Sequence, residues 1–262
     1  MKPPGQSPTQ TEVVARLRAA GCVFAEDEAA LLLTQAATVA ELDASVARRV
    51  AGEPLEVILG WAEFCGLRIG VRPGVFVPRQ RTQLLVQEAA RLLEPGAVVL
   101  DLCCGTGAVG LVLATRVPGL ELYAADSEPA AVECACDNLA GVGEVFAGDL
   151  FAPLPRTLRG RLTVLTCNAP YVPTHAIDLM PPEARVHEPR VALNGGTDGL
   201  DVQRRVAAEA SGWLAPSGHL LVEAGESQAD ESCRIFAARG LTPRVVTSDE
   251  LDATVVVATR PA

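Results

Sequence analysis

The stretch "VVLDLCCGTGAVGL", residues 98–111, decides the fold. It runs as an apolar segment broken only by Asp101, turns through Gly105-Thr106-Gly107, and resumes as an apolar Ala-Val-Gly-Leu. That order predicts a buried strand, a tight turn and a helix. Glycine allows the turn to take positive φ and lets a ligand approach the backbone closely. A G-x-G turn by itself also opens nicotinamide sites, but two acids point elsewhere. Asp101 stands at the start of the turn, where it would repel a pyrophosphate and welcome a cationic sulfonium and amine. Asp126 lies 19 residues past Gly107, at the end of "LELYAAD", where a carboxylate can accept both hydroxyls of a ribose.

Outward from this unit, strands and helices alternate to residue 240. Helical spacing is read at "AVGLVLATRV", "EPAAVECACDNLA", "DGLDVQRRVAAEASGWL" and "ESQADESCRIFAARG", with strands at "GEVFAGDL", "RLTVLTCNAP" and "GHLLVEAG". "TPRVVTSD" and "ATVVVATR" follow as two strands with no helix between them. The pattern predicts a doubly wound α/β domain, a Rossmann-like seven-stranded sheet with an antiparallel edge strand. Ligands in such sheets bind outside the carboxyl ends of the strands. Asp101, Asp126, Asp149 and Asn168 each end one of four successive predicted strands. Taken together they name S-adenosylmethionine as the cofactor. Its contacts are expected at Asp101, Cys103, Cys104, Gly105, Thr106, Gly107, Asp126, Asp149, Leu150 and Asn168.

Upstream, the leader "MKPPGQSPTQTEVV" lacks an apolar signal core and reads as a short disordered segment. Residues 11–50 are Ala- and Leu-rich, and Val13, Val14, Leu17, then Ala29, Leu32, Leu33, Ala36, then Leu42, Val46 and Val50 fall at helical spacing. Asp43 or a neighbour is read as the start of the third helix, and "GEPLEVILG" (52–60) as the turn that ends the set. From 61 to 82, Phe64, Leu67, Ile69 and Val71, then Val75 and Val77, read as two strands joined by Arg72-Pro73-Gly74. The expected division is a helical domain at 1–60, a β-hairpin connector at 61–82 and an S-adenosylmethionine-binding domain at 83–262.

Composition narrows the function. The chain carries 22 Lys and Arg against 32 Asp and Glu, a net charge of −10, which disfavours a general grip on nucleic-acid phosphates. No uncharged stretch is long enough for a membrane span. Eight cysteines form no C-x-x-C pair and read as small hydrophobes, so a metal site is not expected and a reducing cytoplasm is. His175, close to the Asn168 segment, reads as a solvated loop histidine in preference to an acid or base, His187 and His219 show no Asp or Ser partner pattern, and Trp61 and Trp213 read as packing residues. Arg79 and Arg81 read equally as solvated residues or as contacts to a partner or the cofactor carboxylate.

"VLTCNAPYVP", 164–173, supplies the reacting site. Asn168-Ala169-Pro170-Tyr171 resembles the N-P-P-Y motif of methyltransferases that modify planar amino or amide nitrogens. The Asn168 side-chain oxygen and the Ala169 carbonyl could hold both N–H bonds of such a nitrogen and stabilise charge developing there. Tyr171 could stack on the planar group, and Pro170 restricts Ala169 to extended backbone. Over about residues 50–260 the chain is similar to the protein-glutamine N-methyltransferases that modify translation release factors. "GEPLEVILGWAEFCGLRIGVRPGVFVPR", "HEPRVALNGGTDGLD" and "GHLLVEAGESQ" carry that resemblance. It implies an N-terminal helical domain that docks the partner, and the glutamine of a Gly-Gly-Gln loop as acceptor. Three departures stand out. Ala169 replaces a proline, the family's P-R-P-E-T-E becomes Pro78-Arg79-Gln80-Arg81-Thr82-Gln83, and Leu150 replaces an aromatic. Two alternatives accompany this reading: an adenine or guanine amino methyltransferase, which would take a flipped base, and a non-catalytic adaptor that keeps the fold.

Overall fold

A computed structural model describes residues 8–262; the first half of the expected leader, residues 1–7, lies outside the described residues. Structure begins earlier than expected, because Thr9 caps helix α1 (Gln10–Ala19) reciprocally with Glu12. Helices α2 (Ala25–Gln35), α3 (Val39–Val50) and α4 (Leu55–Leu59) follow. The third starts at Val39, not near Asp43, since the Thr38 hydroxyl accepts from the Glu41 N–H. "GEPLEVILG" holds a short helix as well as a turn: Pro54 precedes it and Gly60, at φ 78°, closes it. Val13, Leu17, Ala29, Leu32, Leu42, Val46 and Leu59 form one buried cluster among these helices.

The hairpin is β1 (Trp61–Phe64) against β2 (Leu67–Gly70). Its turn is Cys65-Gly66, not Arg72-Pro73-Gly74, and both turn residues have positive φ, 53° and 81°. That conformation matches strand twist in a two-residue hairpin. Val75 and Val77 are buried but form no strand. A 3₁₀ turn at Gln80–Thr82 then leads into α5 (Gln83–Ala90).

The large domain contains β3 (Val98–Leu102), α6 (Ala108–Arg116), β4 (Glu121–Asp126), α7 (Pro129–Asn138), β5 (Gly143–Ala147) and β6 (Leu162–Cys167). Short helices α8 (Pro182–His187) and α9 (Arg190–Leu193) precede α10 (Asp201–Trp213), β7 (Leu214–Ala224), α11 (Ala229–Ala237), β8 (Thr242–Ser248) and β9 (Ala253–Thr259). The seven strands lie in the order β5-β4-β3-β6-β7-β9-β8. β9 is antiparallel to both of its neighbours, so the antiparallel strand sits one place in from the edge and β8 lies outside it. The side chains explain this choice: β9 is apolar and buried almost throughout, whereas β8 alternates and carries Pro243. Proline is tolerated on an edge strand and not inside a ladder.

All five residues of β3 are buried, as expected for a parallel strand covered on both faces. Leu100 and Leu102 pack with Leu165, Val206, Trp213, Val222 and Phe236 on one face. Val99 packs with Leu85, Val109, Val112, Leu113 and Leu221 on the other. Alternation places Asp101 on the face covered by α6. The chain leaves β3 towards β4 and β5 on one side and returns through β6 on the other. The topological switch point therefore lies between β3 and β6, where open α/β sheets bind ligands.

Candidate active site

A cavity of about 310 Å³ opens at that switch point. Of the expected site residues, it is lined by Asp101, Cys103, Cys104, Gly105, Thr106, Asp126, Asp149, Leu150, Asn168, Ala169, Pro170 and Tyr171. Gly107 does not line it. That residue stands at the N-cap of α6 with φ 74°, and a Cβ there would press on Leu139 at 3.1 Å, so it shapes the turn from behind.

The turn is built from alternating positive φ at Cys103 (55°), Gly105 (54°) and Gly107 (74°). A Cβ on Gly105 would meet no atom within 4 Å, which leaves open space over the turn backbone. Asp126 ties the turn to β4: one carboxylate oxygen accepts from Gly105 N–H at 2.9 Å and the other from Glu128 N–H at 3.0 Å. A carboxylate has about four acceptor sites, so Asp126 keeps capacity for two further donors such as ribose hydroxyls. Asp149 lies two residues beyond β5 and is paired with Arg205. Its neighbour Leu150 takes φ 48° and is buried.

Asp101 is 2% exposed and accepts from Gly110 N–H at 3.1 Å and from the Thr166 hydroxyl at 3.0 Å. Burial raises its carboxyl to about 7, against the opposing pull of those two donors. The unfolded chain loses this proton near pH ~3.9. The stabilising contribution is therefore full below that value and is lost as the pH rises to about 7. Thermal unfolding of the wild type between pH 4 and 7 should fall more steeply with rising pH than that of Asp101→Asn. Parallel profiles would mean that this carboxyl is not protonated in the fold.

The surroundings of the cysteines here disfavour the thiolate. Contact with Cys167, at 4.0 Å between sulfurs, together with burial pushes the Cys103 thiol up, and burial raises Cys104. The thiolate is the attacking form, and a raised thiol supplies little of it. All eight cysteines are free, and the described residues contain no cluster able to hold a metal. His175 is exposed, and the His219 ring pairs with the Thr259 hydroxyl.

At the end of β6, Asn168 Nδ2 donates to Thr82 Oγ1 at 3.1 Å. Among the described residues, neither Asn168 Oδ1 nor the Ala169 carbonyl accepts a hydrogen bond. Two acceptors at consecutive positions of the cavity wall are thus left for a donor with two N–H bonds. The Tyr171 hydroxyl donates to Glu223 at 3.0 Å, and burial with the Glu223 charge pushes the phenol up. The Arg81 guanidinium stands 5.7 Å from the Tyr171 ring centre and also donates to Glu223, at 3.2 Å. Arg79 pairs with buried Glu188 in the same way. Both arginines are therefore anchored, not merely solvated.

Several supporting residues escaped the sequence reading. Thr82, Glu223 and Gln228 all grip the Asn168–Tyr171 segment, Gln228 through a 2.9 Å hydrogen bond to the Tyr171 carbonyl. Gly195 and Gly199 pack on its backbone: a Cβ on Gly195 would meet the Pro170 carbonyl at 2.7 Å, and one on Gly199 would overlap the Tyr171 carbonyl. Gly199 also has φ 83°. Gly199→Ala should cost roughly 1–3 kcal/mol from backbone strain, read as a lowered unfolding temperature. An unchanged temperature would show that this loop yields freely.

Comparison with known proteins places the fold in a family. The methyltransferase small domain family model matches residues 66–197. A methyltransferase from Pyrococcus furiosus superposes with a TM-score of 0.58 at 14% identity, covering 76% of this chain and 91% of that one. The cavity thus stands in a methyltransferase fold. A release factor glutamine methyltransferase of Geobacter sulfurreducens is 39% identical over 198 residues, 74% of this chain and 69% of the relative. One of the same name from Mycolicibacterium smegmatis is 40% identical over 199 residues, 74% and 70% respectively. The chain belongs to the family of release factor glutamine methyltransferases.

Proposed function

We propose that this protein transfers a methyl group from S-adenosylmethionine to the side-chain amide nitrogen of a glutamine in a translation release factor. The observation that carries the proposal is the pair of unengaged acceptors, Asn168 Oδ1 and the Ala169 carbonyl, in the wall of the switch-point cavity. A primary amide has two N–H bonds and a lone pair delocalised into its carbonyl. Holding both N–H bonds aims the nitrogen and favours the positive charge that grows on it. The relatives are named for the same acceptor type.

The cavity residues fit the cofactor. Open space over Gly105, spare acceptor capacity on Asp126 and a volume within the range of small-molecule sites suit a nucleoside. Asp126 would take the ribose hydroxyls, Asp149 and Leu150 would stand by the adenine, and Asp101 with Cys103 to Thr106 would frame the rest. When bound, the cofactor supplies an electrophilic methyl on a sulfonium. Asn168, Ala169, Pro170 and Tyr171 orient the acceptor towards it. Positioning supplies the rate; the methylated nitrogen is strongly acidic and sheds its extra proton to water, so the scheme calls for no strong general base.

Residues 1–60 are assigned here as the partner-docking domain, 61–82 as the connector and 83–262 as the catalytic domain. No helix among the described residues is long and apolar enough to cross a membrane, and a reducing cytoplasm is the proposed setting. The test is incubation with labelled S-adenosylmethionine and purified release factors, followed by mass mapping. A single methyl on the Gly-Gly-Gln glutamine is expected. Label confined to other residues, or to RNA or DNA, would overturn the assignment.

A further inference from the structure

Thr82 closes the 3₁₀ turn that carries the chain from the hairpin into α5, and it is 3% exposed. A buried hydroxyl needs a partner. Its partner is Asn168, 86 residues further along the chain: Nδ2 donates to Thr82 Oγ1 at 3.1 Å, the one hydrogen bond this side-chain amide makes among the described residues. The terminal torsion of asparagine is broad and roughly two-fold, so Asn168 has no intrinsic preference for presenting its oxygen to the cavity. Pro170 and the Gln228 and Gly199 contacts fix the backbone after Asn168 and leave that torsion free.

We propose that Thr82 is a positioning residue for methyl transfer, tethering the Asn168 amide at the cavity wall and, by accepting from Nδ2, supporting the orientation in which Oδ1 faces the acceptor. The proposal rests on the amide-transfer reading above. The chemistry is directional, because an acceptor amide nitrogen approaches with N–H bonds and is matched by Oδ1 but not by Nδ2. Accepting from Nδ2 also polarises the Asn168 amide and strengthens its oxygen as an acceptor, as in any chain of hydrogen bonds. Without the Thr82 hydroxyl, Nδ2 is left unpaired next to the cavity, and Asn168 turns to find another acceptor. The structure also explains why the turn at Gln80–Thr82 can serve here despite its altered charges. Gln80 Nε2 bonds the Glu63 carbonyl and Arg81 bonds Glu223, so the turn is tied at the two residues that precede Thr82.

The test compares Thr82→Val, which keeps the shape and removes the hydroxyl, with Thr82→Ser, which keeps the hydroxyl. Methyl transfer to a purified release factor is followed together with cofactor affinity and unfolding temperature. Thr82→Val should lower kcat about tenfold, the loss of one hydrogen bond in the transition state, with KM and cofactor affinity little changed. Thr82→Ser should restore most of the rate. In an Asn168→Ala background the same Thr82→Val change should cost nothing further, since both act through one amide. A Thr82→Val enzyme as fast as wild type overturns the proposal. So does a loss that serine does not rescue, or one that tracks a fall in unfolding temperature, because either marks a purely structural role. Wild-type enzyme that labels no glutamine overturns the amide-transfer reading itself, and that outcome is visible before any variant is made.

Discussion

Asn168→Ala is expected to reduce methyl transfer to a release factor by about 10²–10³-fold, the range measured when a single preorganised polar group is removed from a charge-stabilising site. The Asn168 side chain supplies one of the two unengaged acceptors at the end of β6, and alanine leaves only the Ala169 carbonyl. Cofactor affinity should persist, because the ties that shape the glycine turn run through Asp126 and Gly110 and do not involve Asn168. The measurement is kcat on a purified release factor beside calorimetric binding of S-adenosylmethionine. Near-normal turnover in this variant would falsify the acceptor-pair mechanism. The Ala169→Pro substitution offers a milder companion, since it changes backbone stiffness but keeps the carbonyl.

Asp126→Ala should have an equally large effect on the other half of the reaction. The carboxylate holds Gly105 N–H and Glu128 N–H at about 3 Å while retaining capacity for ribose hydroxyls. Hydrogen bonds to charged groups contribute about 1.5–3 kcal/mol each. Losing a pair of them predicts cofactor binding weakened by about a hundredfold or more. Asp149→Ala should weaken binding far less, because that carboxylate is largely exposed and already paired with Arg205. Equal losses in the two variants would show that Asp126 is not the principal carboxylate of the site.

The turn at residues 103–107 was readable because glycine's freedom at positive φ is a local property, expressed wherever it occurs. The four strand tips were readable because alternation between apolar strands and helices fixes which residues end each strand. The hairpin was misplaced for a local reason too. Arg72-Pro73-Gly74 carries a stronger turn composition than Cys65-Gly66, yet the tight two-residue connection formed at the weaker signal. The position of β9 inside the sheet depended on a competition between β8 and β9 for the central place, which burial decides and spacing does not. The supports of the acceptor pair were out of reach for a different cause. Thr82–Asn168, Tyr171–Glu223 and Tyr171–Gln228 join residues separated by 86, 52 and 57 positions. No periodicity encodes such pairs; only the folded sheet brings them together.

The interior place of β9 also governs what damaged copies of the protein do. A product cut short before Ala253 would retain β7 but lose the strand that pairs with it from His219 to Ala224. Its unsealed ladder, with Leu220, Leu221 and Val222 at the exposed seam, is the kind of template on which chains stack edge to edge. Incomplete translation products should therefore precipitate or fall to proteases, instead of persisting as cofactor-binding fragments that would compete with the intact enzyme.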